Sequence, residues 1–363
     1  MKLLIACGGT GGHIFPGLAV AEEWKMRNHS FDILFVGSKE GMENELVPSY
    51  GFTLVGMNAV KIKGKSVVHT IKAIIRLPFI MTEAYTILKK YKPDFVLGMG
   101  GYASFFIILV AEMLGNVVCI HEQNSIPGLA NRILGKFATR VFITFPQSRN
   151  FFKKEKTILS GNPLRKKIVD SIGKGTSETS PFRIFITGGS QGAHSLNKMI
   201  HDALPLLAWA KNQCVFIHQA GKFDEESIRQ VYKSSGFNAT VRSFFENMGE
   251  EYQKASVVIT RSGAGIMEMA AHGKCLIVIP FPYSADGHQH ENARYFVDNG
   301  AADLITESKD AHKELAQRIR FYFDHPEKRN EREKKAQALA RVDGAKVIVN
   351  MLLGLGANKE AYV

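Results

Sequence analysis

Short apolar runs alternate with longer segments of helical periodicity through the first 145 residues. Runs of this length predict buried strands, and the amphipathic segments between them predict helices. Strands that alternate with helices in this way are typical of a parallel sheet with crossover helices, an α/β fold. The strand-like runs are KLLIA, FDILFVG, DFVLGMG, VVCIHE and RVFITF.

The alternation stops at a polar stretch, SIGKGTSETSP (171–181), and then restarts. A restart after a polar interruption predicts a second sheet and therefore a second domain. We expect an N-terminal domain over 1–165, a linker over 166–181 and a C-terminal domain over 182–345. The C-terminal tail covers 346–363, and one arrangement open to it is packing against the N-terminal domain. The strand-like runs of the second half are FRIFITGG, CVFIHQAG, VVITRSG and CLIVIPF.

The two halves carry similar glycine-rich loops, IACGGTGGH (5–13) and IFITGGSQGAH (184–194). Each reads as a strand, a glycine pair, Thr or Ser, small residues and a histidine. Ligands of doubly wound sheets bind at the carboxyl ends of the strands, so we expect two Rossmann-like domains facing a central cleft that both loops line. Glycines let backbone N–H groups approach a ligand closely, which favours phosphate.

Neither common nucleotide-binding motif is present. A dinucleotide-binding loop needs a third glycine, but Ile14 occupies that position. It also needs an acidic residue at the end of the second strand, which instead ends in Gly37 and Ser38. The phosphate-binding P-loop motif, GxxxxGK, does not occur in the sequence. A third segment, VVITRSGAGIMEMAAHG (257–273), reads as strand, turn and helix. The N-terminus of that helix suits a diphosphate, while Glu268 could accept hydrogen bonds from a ribose diol.

Composition restricts where the protein works. Four cysteines lie far apart at 7, 119, 214 and 275, which indicates neither a disulfide framework nor a zinc site and favours a reducing compartment. The first residues lack the apolar region of a secretory signal. The most apolar stretch, 103–120, contains Glu112 and Asn116, so it predicts a buried helix followed by a strand rather than a membrane span.

The net charge of +12 is concentrated in one segment, and such an excess requires an anionic partner. Residues 61–92 contain eight Lys or Arg against the single acid Glu83. Their helical spacing puts an apolar face beside basic residues, which predicts contact with an anionic membrane surface; the alternative is that the face packs on the sheet. Elsewhere Lys and Arg are scattered with few aromatic neighbours, so we expect no nucleic acid partner. The predicted membrane contacts are Lys72, Ile75, Arg76 and Phe79.

Six motifs together resemble one enzyme family. They are GGTGGHIFPGLAVA, KPDFVLGMGGYAS, HEQNSIPGLANR, GNPLR, GGSQGAHSLN and RSGAG followed by a glutamate, and they span residue 8 to about residue 300. In this order they resemble the bacterial GT-B N-acetylglucosaminyltransferases that convert lipid I to lipid II in peptidoglycan synthesis. The resemblance implies that the C-terminal domain binds UDP-N-acetylglucosamine and the N-terminal domain the lipid-linked muramyl acceptor, with inversion at the anomeric carbon.

The resemblance also implies a location and a set of donor contacts. It implies a peripheral protein on the cytoplasmic side of the bacterial inner membrane, with other cell-wall synthesis or division proteins as partners. In this chain the family's turn is one residue shorter before Glu268, and His288 replaces the first of two adjacent glutamines. The implied donor contacts are Thr10, Gly11, Gly12, Asn124, Arg165, Ser190, Phe245, Ala264, Gly265, Ile266, Met267, Glu268 and Gln289.

Glycosyl transfer needs a base for the acceptor hydroxyl and a partner for the departing diphosphate. The chain has no Asp-x-Asp pair and His288 and His290 lie two apart on a predicted helix, so we expect neither metal nor cofactor, with Arg165 and helix dipoles facing the diphosphate. His13 and Glu122 are the candidate bases, and we favour His13. A UDP-sugar epimerase of the same two-domain architecture is the alternative function.

Overall fold

The computed structural model describes residues 1–58, 67–174 and 181–360, and for residues 67–75, 102–103 and 358–360 it describes only the backbone. The chain forms two units. The first contains residues 1–166 together with the chain from Val342 onward, and the second contains Lys167–Arg341. Each unit is built on one parallel sheet, so the predicted α/β class with two doubly wound domains is confirmed.

Thirteen strands are present in the described residues, seven in the sheet of the first unit and six in that of the second. They are β1 (Lys2–Cys7), β2 (Asp32–Ser38), β3 (Thr53–Met57), β4 (Phe95–Gly100), β5 (Val117–Glu122), β6 (Arg140–Ile143), β7 (Thr157–Leu159), β8 (Phe182–Thr187), β9 (Cys214–Gln219), β10 (Ala239–Arg242), β11 (Val257–Thr260), β12 (Cys275–Val278) and β13 (Ala302–Leu304).

Fourteen α-helices connect these strands within the described ranges. They are α1 (Gly11–Arg27), α2 (Glu43–Ser49), α3 (Val67–Tyr91), α4 (Tyr102–Met113), α5 (Leu129–Leu134), α6 (Lys166–Ser171), α7 (His194–Ala203), α8 (Glu225–Ser234), α9 (Met248–Lys254), α10 (Ile266–Ala271), α11 (His288–Asp298), α12 (Ala311–Asp324), α13 (Pro326–Leu339) and α14 (Gly344–Glu360).

The first sheet has the order β3-β2-β1-β4-β5-β6-β7, and alternate residues of its strands face opposite helical layers. Leu4 and Ala6 of β1 pack with α3, α4 and α5. Leu3 and Ile5 pack with α1, α2 and α14. Both faces of the central strand are therefore buried, as continuous apolar runs predict.

The second sheet has the order β10-β9-β8-β11-β12-β13. Ile184 and Ile186 of β8 face a core formed with α7, α8 and α12, whereas Phe185 points to the other side and meets Tyr252 of α9. The register aligns Thr187 with Gln219 of β9 and with Thr260 of β11. These three polar residues thus end three neighbouring strands at one edge of the sheet.

The predicted secondary structure is confirmed. All nine predicted strands are present, and 103–120 contains a helix followed by a strand. The four cysteines are reduced and buried. None of the described helices combines the length and the apolarity needed to cross a bilayer. The beginning of the expected linker forms α6, and α14 packs on α1 in the first unit.

Candidate active site

The first glycine loop, Gly8–Gly12, connects β1 to α1. Thr10 has the extended conformation of an N-cap residue, and its carbonyl accepts from the N–H groups of His13 at 3.0 Å and Ile14 at 3.2 Å. Gly11 and Gly12 therefore form the first turn of α1, where backbone N–H groups have no partner within the helix. Gly9, with φ of +90°, has the conformation that glycine tolerates best.

His13 is half-buried in the first turn of α1. Its Nδ1 lies 3.1 Å from the carbonyl oxygen of Gly8. Because a carbonyl can only accept, Nδ1 carries the proton and the neutral ring keeps its basic lone pair on Nε2. A Cβ on Gly100, at the end of β4, would lie 2.7 Å from the imidazole ring. Gly100 of the MGGY motif thus makes room for His13.

A buried carboxylate that no sequence motif marks lies beside this loop. Glu43, the first residue of α2, is completely buried and accepts from the N–H of Gly9 at 3.2 Å. Its other oxygen accepts from the N–H and the hydroxyl of Ser38, at 2.7 and 2.9 Å. A Cβ on Gly8, Gly37 or Gly41 would come within 2.6 Å of this side chain. Glycines from two segments of the chain, the first loop and the end of β2 with the turn that follows it, therefore surround the carboxylate.

Glu122, the second candidate base, ends β5 and is also buried. One of its oxygens accepts from the N–H of Asn124 at 2.9 Å and from its amide group at 3.2 Å. The other accepts from the amide of Asn131 at 2.8 Å and the N–H of Gly128 at 3.3 Å. Burial raises the pKa of Glu122, against the opposing effect of these hydrogen bonds. Both oxygens are thus engaged in holding the HEQN loop, a structural task.

Arg165 of the GNPLR motif is buried, and its guanidinium lies 4.1 Å from the centre of the Phe15 ring. The same motif accepts a hydrogen bond from β5, since Nε2 of His121 lies 3.1 Å from the Gly161 carbonyl. Burial is the main cause that lowers the pKa of His121 to about 4, against the opposing effect of its hydrogen bond to Gly161. His121 is therefore a neutral donor at physiological pH. Its hydrogen bond fixes Gly161, which precedes Arg165 in the same motif.

The second glycine loop, Gly188–Gly192, connects β8 to α7 and contains the half-buried Ser190. A buried carboxamide holds it. Nε2 of Gln219 donates to Oγ1 of Thr187 at 3.1 Å and to the carbonyl of Gly189 at 2.9 Å, and its Oε1 accepts from the N–H of Phe245 at 3.0 Å. Gln219 thus joins two segments that contain predicted donor contacts. In the sequence Gln219 ends an apolar strand, where no motif marks it.

The third predicted segment forms the expected turn and helix. Ala264 and Gly265 precede α10, and Glu268 is its third residue. Glu268 is buried, and its Oε2 lies 3.5 Å from the hydroxyl of Tyr252. Its backbone carbonyl accepts from Nδ1 of His272 at 2.7 Å. Glu268 therefore lies at the N-terminal turn of α10 with the Tyr252 hydroxyl beside its carboxylate. Ile266 and Met267 are buried beside it.

Gln289 lies in the first turn of α11 and is half-buried. Its Oε1 accepts from the N–H of Phe281 at 2.9 Å, so its amide N–H groups are the atoms that can donate to a sugar oxygen. His288 and His290 lie on the same helix as predicted, and no three His, Cys, Asp or Glu side chains of the described residues are grouped as metal ligands.

Of the predicted membrane contacts, Arg76 is exposed and Phe79 is 75% exposed on α3. The side chains of Lys72 and Ile75 lie outside the described residues. On the same side of the sheet, three apolar residues of a second segment are also exposed: Leu129, Ile133 and Phe137.

Comparisons with known proteins assign the family. The model of the glycosyltransferase family 28 N-terminal domain matches residues 3–143, and that of the C-terminal domain matches residues 183–348. The chain belongs to glycosyltransferase family 28. A relative from Geotalea uraniireducens, named UDP-N-acetylglucosamine--N-acetylmuramyl-(pentapeptide) pyrophosphoryl-undecaprenol N-acetylglucosamine transferase, is 42% identical over 96% of this chain and 97% of its own. One of the same name from Myxococcus xanthus is 40% identical over 98% and 93%.

Two solved structures share the fold of this chain. The crystal structure of MurG from Acinetobacter baumannii superposes with a TM-score of 0.76 at 27% identity, over 97% of this chain and 99% of that one. A UDP-N-acetylglucosamine 2-epimerase from Neisseria meningitidis superposes with a TM-score of 0.68 at 15% identity, over 98% and 100%. The second likeness concerns the fold alone, so architecture does not separate transferases from epimerases.

Proposed function

We infer that this chain transfers N-acetylglucosamine from UDP-N-acetylglucosamine to the 4-hydroxyl of undecaprenyl-diphosphate-N-acetylmuramoyl-pentapeptide, the conversion of lipid I to lipid II in peptidoglycan synthesis. The observation that carries this function is the 42% identity, over 96% of the chain, to an enzyme named for that transfer. It makes the chain an N-acetylglucosaminyltransferase rather than an epimerase.

His13 acts as the base in this proposal. The acceptor oxygen attacks the anomeric carbon, the bond from that carbon to the UDP oxygen breaks, and Nε2 of His13 takes the hydroxyl proton, with inversion of configuration. Support comes from the bond between Nδ1 and Gly8, which leaves Nε2 as the basic nitrogen. Glu122 is the weaker candidate, because both of its oxygens already accept N–H groups of the HEQN loop.

Each proposed donor contact has its own task. Glu268 accepts from the uridine ribose, Ser190 and the backbone N–H groups beside it bind the diphosphate, and Arg165 stabilises its charge as UDP departs. Gln289 donates to the sugar. No step requires a metal ion. The remaining proposed contacts are Thr10, Gly11, Gly12, Asn124, Phe245 and Ala264–Met267.

The decisive assay incubates the protein with UDP-N-acetylglucosamine and a lipid I analogue. The expected products are UDP and a disaccharide that form together. Release of the C2 epimer of the UDP-sugar without acceptor, and no disaccharide with it, would favour the epimerase. A Glu268→Ala variant is the matched control, because it should lose donor-dependent product in either case.

We further propose that α3 docks this enzyme on the anionic cytoplasmic face of the bacterial inner membrane, where its lipid acceptor is located. The exposure of Arg76 and Phe79 supports this role, because an apolar ring beside a basic group suits the headgroup layer. Each basic residue near such a surface contributes about 1 kcal/mol. The exposed Leu129, Ile133 and Phe137 extend the apolar surface on the same side of the sheet.

Charge reversal tests the docking surface. The double variant Lys72→Glu, Arg76→Glu should lose co-sedimentation with anionic vesicles and activity on membrane-embedded acceptor, while it keeps UDP-sugar binding. The control variant, Lys328→Glu with Lys334→Glu on exposed positions of α13, changes the net charge equally. Equal loss in both variants would mean that only total charge matters, and equal binding by the α3 variant and the parent would exclude this surface.

A further inference from the structure

One peptide group of the first glycine loop joins Glu43 to His13. The N–H of Gly9 and the carbonyl of Gly8 belong to the same peptide bond. The N–H donates to Oε2 of Glu43 at 3.2 Å, and the carbonyl accepts from Nδ1 of His13 at 3.1 Å. Because N–H and C=O point in opposite directions within the plane of a trans peptide, the carboxylate and the imidazole contact opposite edges of this planar group.

We propose that Glu43 is a positioning residue for glycosyl transfer, which acts on His13 through the Gly8–Gly9 peptide. This inference rests on the proposed function, in which His13 is the base. A carboxylate that accepts the N–H polarises the peptide and makes its carbonyl a stronger acceptor. The stronger bond to Nδ1 fixes the ring orientation and keeps the lone pair on Nε2, as a carboxylate does when it contacts a histidine directly.

The surroundings of Glu43 fit this task better than a role in packing alone. The carboxylate is completely buried, and its partners are three donors from two segments. Gly8, Gly37 and Gly41 leave no room for a side chain beside it. The Cys7 thiol next to it is neutral, because burial and then the charge of Glu43 raise its pKa. The loop therefore holds a fixed negative charge behind the peptide that faces His13.

The opposite side of the peptide is equally restricted. A Cβ on Gly101 would lie 2.5 Å from the Gly8 oxygen, and one on Gly100 would touch the His13 ring. Both glycines have positive φ and follow the register shift between β1 and β4. The carbonyl and the imidazole are thus held together against β4. A change at Glu43 therefore affects His13 through a single peptide group.

Glu43→Gln tests the relay. Glutamine has one acceptor oxygen, and Ser38 supplies two of the three donors, so the Gly9 N–H is the donor expected to lose its partner. We expect kcat to fall about 10–100-fold, as for other residues that orient a functional histidine. The KM for UDP-N-acetylglucosamine should stay within about twofold, because the relay affects the transition state and not donor binding.

The matched control is Glu23→Gln. Glu23 is a buried carboxylate of the same unit that accepts from Arg27 at 2.8 Å and lies roughly 15 Å from His13 along α1. It should lose stability without a change in kcat. An equal fall of kcat in both variants, at equal loss of thermal stability, would overturn the specific role of Glu43.

Histidine nitrogen NMR gives a readout that general destabilisation does not move. In the parent, the His13 signal, assigned by its loss in His13→Gln, should show the Nδ1–H tautomer, and in Glu43→Gln the Nε2–H form should gain population. An unchanged tautomer overturns the relay, whatever happens to kcat. If the tautomer shifts while His13→Ala retains turnover, the relay stands and the assignment of His13 as base fails.

A measurement on the unmodified protein covers the case in which Glu43→Gln does not fold. Gly9 is exposed, so its N–H would exchange with solvent at the rate of an open loop if nothing held it. A bond to Glu43 predicts slowed exchange and a downfield amide proton. Exchange at the unprotected rate would overturn the relay without any variant.

Discussion

The two glycine loops are alike in sequence, yet different side chains hold them. The first loop is held by the carboxylate of Glu43, and the second by the carboxamide of Gln219. A buried negative charge strengthens a neighbouring imidazole as a base but opposes a diphosphate. The neutral Gln219 fits the loop assigned to the diphosphate, and the charged Glu43 fits the loop that carries His13. A glycine motif therefore predicts the turn, and the side chain beneath it indicates the ligand.

The largest expected effect comes from removing the imidazole that follows the first loop. His13→Ala should lower turnover by about 10²–10⁴-fold, the usual contribution of a general base. Donor binding should change little, because a base acts in the transition state. Steady-state kinetics and calorimetry with UDP give the two quantities.

Glu122→Gln belongs in the same experiment. This variant replaces a carboxylate that holds four N–H groups, so it should lower stability and affect turnover less than His13→Ala does. If turnover instead survives His13→Ala within a few-fold and is abolished by Glu122→Gln, Glu122 is the base and the contrast between the loops loses its chemical basis.

Glu268→Ala should lower the affinity for the UDP-sugar, whereas His13→Ala should lower turnover. A carboxylate that accepts from two ribose hydroxyls contributes roughly 1.5–3 kcal/mol, which predicts more than a tenfold loss of affinity for the UDP-sugar. Titration calorimetry measures it. Unchanged affinity would remove Glu268 from the donor site.

Variants of Gln219 test the electrostatic half of the comparison. Gln219→Glu brings a charge beneath the second loop and should weaken UDP binding about three- to tenfold, more than the neutral Gln219→Leu does. Tyr322→Phe is the control, because it removes a buried 2.8 Å bond to Asp303 elsewhere in the unit. Equal weakening by the two Gln219 variants would show that the charge is irrelevant.

The smallest effect is expected from the removal of divalent metal ions, which should leave the activity unchanged. Transfer should persist in excess EDTA, because Arg165 and backbone N–H groups stabilise the departing diphosphate in place of a metal. The assay is the same transfer reaction with and without chelator. Loss of activity that a divalent ion restores would contradict it.

The strands that the sequence predicts and those that it misses differ in one physical respect. The four missed strands, β3, β7, β10 and β13, are the outer strands of the two sheets. In β3, β7 and β10 only one residue is buried, and β13 has only three residues, so these strands lack the continuous apolar run that marks the inner strands. Thr53–Met57, for example, contains a glycine, and most of its residues are only half-buried.

The motifs located the loops of the candidate site but not the groups that hold them. Glu43 follows a turn and begins a helix, where acidic residues are common for reasons of helix charge alone. Glycines at 37 and 41 were the available signal, because they mark a crowded backbone. Gln219 is a polar residue at the end of an apolar strand. Such positions point to the ligand edge of a parallel sheet, and only the fold shows which loops they join.

The last helix of the chain completes the first unit. Ile348, Val349 and Leu352 of α14 belong to the same core as Trp24 of α1, at the opposite end of the sequence. During translation, the unit that leaves the ribosome first is therefore the last to close, after the whole of Lys167–Arg341 has been synthesised. Until then the apolar side of α1 that α14 covers stays open to chaperones, so polar substitutions at Ile348, Val349 or Leu352 should lower the yield of folded enzyme before they affect catalysis.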